Sequence, residues 1–100
     1  MNEQQLRGAM GLCVRARQAV FGEDGCIKAI RKGEIAILLL DEGASEATKE
    51  KYRGVCENAS VPLAMLREDL ILEATGRPGV AMAVKKGSLG SKVLSVALCV

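Results

Sequence analysis

The stretch Gly22-Glu23-Asp24-Gly25-Cys26-Ile27-Lys28-Ala29-Ile30-Arg31-Lys32-Gly33 and, one residue on, Ile35-Ala36-Ile37-Leu38-Leu39-Leu40 decides how this chain folds. A glycine opens a short helix over about Glu23 to Lys32. Its first turn holds two acids and its last turn is basic, an order that suits the helix dipole. Gly33 stops it. The continuous apolar run that follows has strand length and no alternation, which predicts a central strand covered on both faces. That strand runs into Asp41-Glu42, and Ser45 caps the next helix with Glu46 just inside it. A helix whose glycine-preceded start is open to solvent can offer backbone N–H groups to a phosphate chain.

The same reading extends in both directions. Leu6, Ala9, Met10, Cys13 and Val14 recur at helical spacing, predicting an amphipathic helix from about Glu3 to Ala16. Ala19-Val20-Phe21 reads as a brief edge strand ended by Gly22. Thr48, Tyr52, Val55, Cys56 and Ala59 mark the buried stripe of the helix after Ser45. Ser60 to Leu66 reads as a strand with Pro62 near its start, where proline is tolerated. Arg67-Glu68-Asp69 opens a short helix carrying Leu70, Ile71 and Ala74, stopped by Gly76. Val80 to Val84 is a third buried strand. A last helix buries Leu89, Val93, Val96 and Ala97, and Gly87 and Gly90 leave its start open. Strands alternating with helices throughout predict an α/β layer sandwich.

Length and composition set further bounds. One hundred residues without a linker or repeat predict one domain over residues 1–100. Hydrophobic residues are 49% and aromatics 2%, so the core has to be aliphatic. The longest apolar run is far shorter than the roughly 20 residues of a membrane span. The start, Met1 to Gln5, is polar and lacks a signal-peptide hydrophobic region, so the expected location is the cytoplasm and no membrane partner is expected. Cys13, Cys26, Cys56 and Cys99 form no C-x-x-C pair, and there is no histidine. That argues against a zinc site and for reduced cysteines acting as small core residues.

Charge is unevenly spread. Residues 1–33 hold six Lys/Arg and three Asp/Glu, residues 34–76 hold four and nine, and residues 77–100 hold four and none. A fold that brings the two basic ends together presents a positive face to an anionic partner.

Catalytic patterns are few. Without histidine, a Ser–His or Cys–His nucleophile pair is excluded. Asp41 and Glu42 stand at the carboxyl end of the central strand, where α/β sheets often bind ligands, and are candidates for Mg²⁺ or acid–base work or, alternatively, for opening the turn before Ser45. Gly87-Ser88-Leu89-Gly90-Ser91-Lys92 lacks the glycine spacing and the Gly-Lys-Ser/Thr ending of a phosphate loop. No cofactor is expected. Thr75-Gly76-Arg77-Pro78-Gly79-Val80 is a tight exposed turn around one arginine, suited to laying backbone and an apolar tip against an irregular surface.

The ordered set Gly22…Lys28-Ala29-Ile30…Gly33, apolar strand, acidic turn, Ser-capped helix ending near Cys56, Val61-Pro62, short helix, Gly76 and Val80-Ala81-Met82-Ala83-Val84 resembles the kink-turn RNA-binding ribosomal proteins of the L-seven-Ae / L-thirty-e superfamily. Within that superfamily it is most similar to the small bacterial YlxQ-type branch. The resemblance spans roughly Leu6 to Leu94. It implies a three-layer α/β/α sandwich with a mixed, four-stranded sheet, and a non-enzymatic, cytoplasmic, monomeric protein bound to structured RNA, ribosomal by the family's habit.

It also implies where RNA would sit. The strand–helix junction falls on Gly22 to Lys32 and the later loop on Thr75 to Val80. Lys28, Arg31, Lys32 and Arg77 are the expected phosphate contacts. Gly22, Glu23 and Asp24 would approach the groove, and Pro78, Gly79 and Val80 would pack on an exposed base or sugar. Strong kink-turn binders place Asn-Glu where this chain has Asp24-Gly25, and an ionised Asp accepts hydrogen bonds but does not donate them. The branch's usual Gly-Lys is Arg17-Gln18 here. The alternative reading is a protein-interaction module of the same fold with weak RNA affinity.

Overall fold

Burial on both faces is what fixes the central strand. The computed structural model describes residues 2–98. Its elements are helix α1 (Glu3–Arg15), strand β1 (Ala19–Phe21), α2 (Glu23–Arg31), β2 (Ile35–Asp41), α3 (Glu46–Ala59), β3 (Leu63–Leu66), α4 (Leu70–Thr75), β4 (Ala81–Lys85) and α5 (Ser88–Leu98). The strands form one sheet in the order β1-β4-β2-β3. β2 pairs with β3 in parallel and with β4 antiparallel, and β4 also pairs antiparallel with β1. The sheet is therefore mixed and four-stranded, as the resemblance implied.

Two cores, one on each face, make three layers. Ile37 and Leu39 of β2 pack with Met82 and Val84 against α1, α4 and α5. Ile35, Leu38 and Leu40 pack with Ala81 and Ala83 against α2 and α3. Ile35 and Ile37 would share a face in a regular strand. A bulge between them, opposite Lys85 and Val84, sends them to opposite faces. α5 crosses this bulge through Gly90, where a Cβ would run into the Lys85 carbonyl oxygen and crowd Ala36. The second glycine of the Gly87–Lys92 segment thus has a packing role inside a helix.

Capping follows the sequence. Ser45 accepts the Thr48 N–H at 3.2 Å, and Gly33 and Gly76 adopt positive φ after α2 and α4. Several boundaries differ from the sequence reading. Ser60 takes a left-handed conformation to end α3, and Pro62 lacks an N–H, so β3 begins only at Leu63. The Pro62 carbonyl still accepts the Leu38 N–H at 3.0 Å. Asp69 is left-handed too, which delays α4 to Leu70. Val80 lies outside β4 and is 40% exposed, so it belongs to the loop and not to the buried strand. Arg17 holds φ at +58° in the α1–β1 turn. A non-glycine residue there costs about 1–2 kcal/mol.

The surface carries one dense ion network. Arg67, just after β3, donates to Glu3 at 2.8 and 3.0 Å and to Glu73 at 2.8 and 3.1 Å. These bonds hold both carboxyl groups below their usual range. Cys13, Cys26 and Cys56 are buried free thiols, as expected; Cys99 lies outside the described residues. No helix among the described residues is long and apolar enough to cross a membrane.

Two outcomes follow from this packing. Gly90→Ala has no room at the bulge and should lower unfolding free energy by about 2–3 kcal/mol in urea titrations, whereas Gly54→Ala, with open space around its Cα, should not. The second concerns pH. Burial, with nearby Cys26 adding to it, pushes the Cys56 thiol from 9.0 up to about 11, and burial also pushes the Tyr52 hydroxyl up. The folded chain therefore keeps protons that the unfolded chain has already lost. The contribution is complete below about pH 9 and disappears as pH rises through 11. Unfolding free energy should fall by about 2 kcal/mol from Cys56 alone across that window, and Cys56→Ala should flatten the fall.

Candidate nucleic-acid interface

The N-terminus of α2 is built to be bare. Gly22 sits at φ +86°, and no side chain caps the first turn. Cys26, Ile27, Ala29 and Ile30 turn inward, and the Cys26 thiol reaches the Val20 carbonyl at 3.2 Å. That orientation leaves Lys28, Arg31 and Lys32 on the outer face, all exposed. Gly25 is exposed, and a Cβ there would stand 3.3 Å from Val20, so α2 starts close against β1.

The 75–80 loop is fixed at both ends. The Thr75 hydroxyl donates to the Ile71 carbonyl at 2.7 Å and accepts the Arg77 N–H at 3.1 Å. At the other end the Val80 carbonyl accepts the Asp41 N–H at 2.7 Å. Arg77 lays its guanidinium 4.6 Å from the centroid of the Phe21 ring. This stacking holds it at the end of β1. Gly79, at φ +140°, makes the sharp bend.

These two segments face each other. Gly22 and Glu23 on one side and Pro78, Gly79 and Val80 on the other line a cleft of about 280 Å³, to which α3 contributes Thr48 and Tyr52. Beside it lies a second hollow of about 430 Å³, lined by Asp24, Ile27, Lys28, Arg31, Lys32 and Lys51. Glu23 connects the two, because its carboxylate pairs with the Lys51 ammonium at 3.3 Å. Of the ten residues expected from sequence, five line the cleft and four line the cationic hollow. Arg77 alone stands apart, on Phe21. The basic chain ends do meet, through β1 against β4 and α1 against α5, although Arg7 is drawn to Glu73 at 3.6 Å.

Asp41 takes the structural one of its two readings. It is 6% exposed. One carboxylate oxygen accepts the Gly43 N–H at 2.6 Å and the other accepts the Asp69 N–H at 3.0 Å. Together with its own N–H on Val80, Asp41 ties three loops to the end of β2. Glu42 points to solvent, and among the described residues no group of three or more Cys, Asp or Glu is placed to hold a metal ion.

Sequence reasoning missed Lys51, Phe21, Thr48 and Tyr52 as parts of this surface. Thr48 and Tyr52 were legible only as a buried stripe. Lys51 gave no sign, because its place depends on how α3 lies against α2.

No protein-family profile matches the chain. The chain is 34% identical over 89 residues to the RNA-binding protein YlxQ of Bacillus subtilis, covering 87% of this chain and 89% of that protein. This chain belongs to the YlxQ family. The family's fold recurs in solved structures. A Bacillus halodurans protein of unknown function superposes with a TM-score of 0.86 at 25% identity, over 93% of this YlxQ-family chain and 96% of that one. The Giardia lamblia 15.5kD RNA binding protein superposes with a TM-score of 0.76 at 16% identity, over 94% and 82% of the two chains. The second likeness is one of fold, and it agrees with the L-seven-Ae type of α/β sandwich.

The role of Asp41 has a direct check. Asp41→Ala leaves two backbone N–H groups without acceptors and should cost about 2–4 kcal/mol of stability. Asp41→Asn, which keeps one acceptor oxygen, should cost less. Thermal melts of the two variants separate these outcomes.

Proposed function

We propose that this chain is a non-enzymatic RNA-binding protein, acting as one domain, that recognises structured, kink-turn-like RNA and associates with the ribosome in the cytoplasm as a monomer. One observation carries the reading: the uncapped start of α2 and the 78–80 loop face each other across a single cleft, with a cationic hollow beside it. The YlxQ relationship supports the partner class. Lys28, Arg31 and Lys32 contact phosphates from the outer face of α2, and Arg77 does so from its seat on Phe21. Gly22, Glu23 and Asp24 approach the groove of the RNA. Pro78, Gly79 and Val80 give an apolar wall for a splayed base or sugar, a mode that suits structured RNA and needs no aromatic platform.

A second reading rests on Asp24-Gly25. Gly25 brings no side chain to a base edge and Asp24 brings an acceptor into a basic hollow. Under that reading the fold serves a protein partner and RNA affinity is weak.

Titration of a fluorescent kink-turn RNA and a plain duplex of equal length, at two salt concentrations, separates the two. Tight, salt-sensitive binding that prefers the kink-turn is the expected result, since phosphate contacts release counterions. Lys28→Ala should weaken it by about 1–2 kcal/mol without changing the thermal melt. Equal and weak binding to both RNAs favours the protein-interaction reading. If Lys28→Ala and Arg77→Ala both bind as the parent does, the site is elsewhere.

A further inference from the structure

The expected phosphate contacts that line this hollow lie along α2 and on its C-cap, Lys32, yet the hollow has a second wall. Lys51 of α3 closes it, opposite Lys28, Arg31 and Lys32. Its side chain is 55% exposed, so it is reachable. Glu23 pairs with its ammonium at 3.3 Å and so holds it toward the first turn of α2, next to the 280 Å³ cleft. Along α2 the three cations span about 6 Å of axis, from the 1.5 Å rise per residue. Lys51 turns this line into a two-sided channel, with Ile27 its one apolar lining residue. A channel with four cations, one acid and no aromatic ring is dominated by charge and lacks an aromatic stacking platform. It offers a path for a phosphate backbone.

We infer that Lys51 is a backbone-tracking contact and that the RNA strand leaving the cleft runs between α2 and α3 rather than along α2 alone. This rests on the RNA reading above. The contact is blind to sequence and to kinking, because an ammonium meeting phosphate reads charge. Glu23 acts as a positioning residue: it pre-places Lys51 and yields it when a phosphate arrives.

The test compares Lys51→Ala with Lys92→Ala, an exposed lysine on α5 in the opposite helix layer, using the kink-turn RNA and the plain duplex over a salt series. Lys28→Ala serves as the reference loss. Lys51→Ala should weaken both RNAs alike, by about three- to tenfold, and lower the slope of log affinity against log salt by about one. Lys92→Ala should leave both unchanged, and thermal melts of all variants should match the parent. Parent-like binding by Lys51→Ala, beside a clear loss in Lys28→Ala, overturns the inference and leaves the RNA reading standing. A loss confined to the kink-turn RNA also overturns it, since that would make Lys51 a reader of shape. If the parent binds neither RNA, the RNA reading falls and this inference with it.

Discussion

The whole structure depends on a strand that water cannot reach from either side. Ile35, Ile37, Leu38, Leu39 and Leu40 are all essentially buried, and each such side chain contributes about 1.5–3 kcal/mol when taken out of water. A strand of this kind demands cover above and below. α1, α4 and α5 supply one side, and α2 and α3 the other. The bulge at Ala36 follows from the same demand, since it lets an unbroken apolar run divide its side chains between two cores.

The strand then ends in a group that organises its surroundings. Asp41 binds backbone from three segments: the Val80 carbonyl, the Gly43 N–H and the Asp69 N–H. Loops usually carry recognition and a rigid scaffold places them. Here the link between scaffold and loop is one carboxylate and its own amide. The 78–80 segment is therefore joined to the end of β2 through the Asp41 amide, while Arg77 on Phe21 anchors the loop to the end of β1.

How much of this was readable beforehand varies with the kind of interaction involved. β2, the Ser45 cap and the stops at Gly33 and Gly76 were legible because each rests on local chemistry: periodicity, a hydroxyl next to bare amides, a residue at ease with positive φ. The acidic Asp41 was visible but ambiguous. A carboxylate at a strand end looks alike whether it accepts backbone amides or meets a ligand, and only the placement of Gly43 and Asp69 decides. Gly90 only left the start of the last helix open, because its constraint, the Lys85 carbonyl, belongs to another element. Val80 read as strand because its side chain is apolar, although only its carbonyl joins the sheet, at the end of the central β2–β4 pair. Lys28, Arg31 and Lys32 could be grouped from their spacing on one helix. Lys51 and Phe21 could not, since their closeness to Lys28 and Arg77 arises from packing between elements distant in sequence.

The strand order β1-β4-β2-β3 has a consequence for how the chain comes into being. β1 has β4 as its neighbour in the sheet, and α1 packs on α4 and α5, so the sheet partner of β1 and the helices beside α1 all lie in the last third of the chain. During vectorial synthesis α1 and β1 emerge well before these later elements. β2 likewise lacks one of its two neighbours until Ala81–Lys85 has been made. Such non-local pairing slows folding, because the closure entropy must be met before the contacts reward it. The nascent chain thus carries its most water-averse segment half-covered through much of its translation. Amphipathic α1, with Leu6, Met10 and Cys13 along one side, is the apolar surface available to shelter it in the meantime.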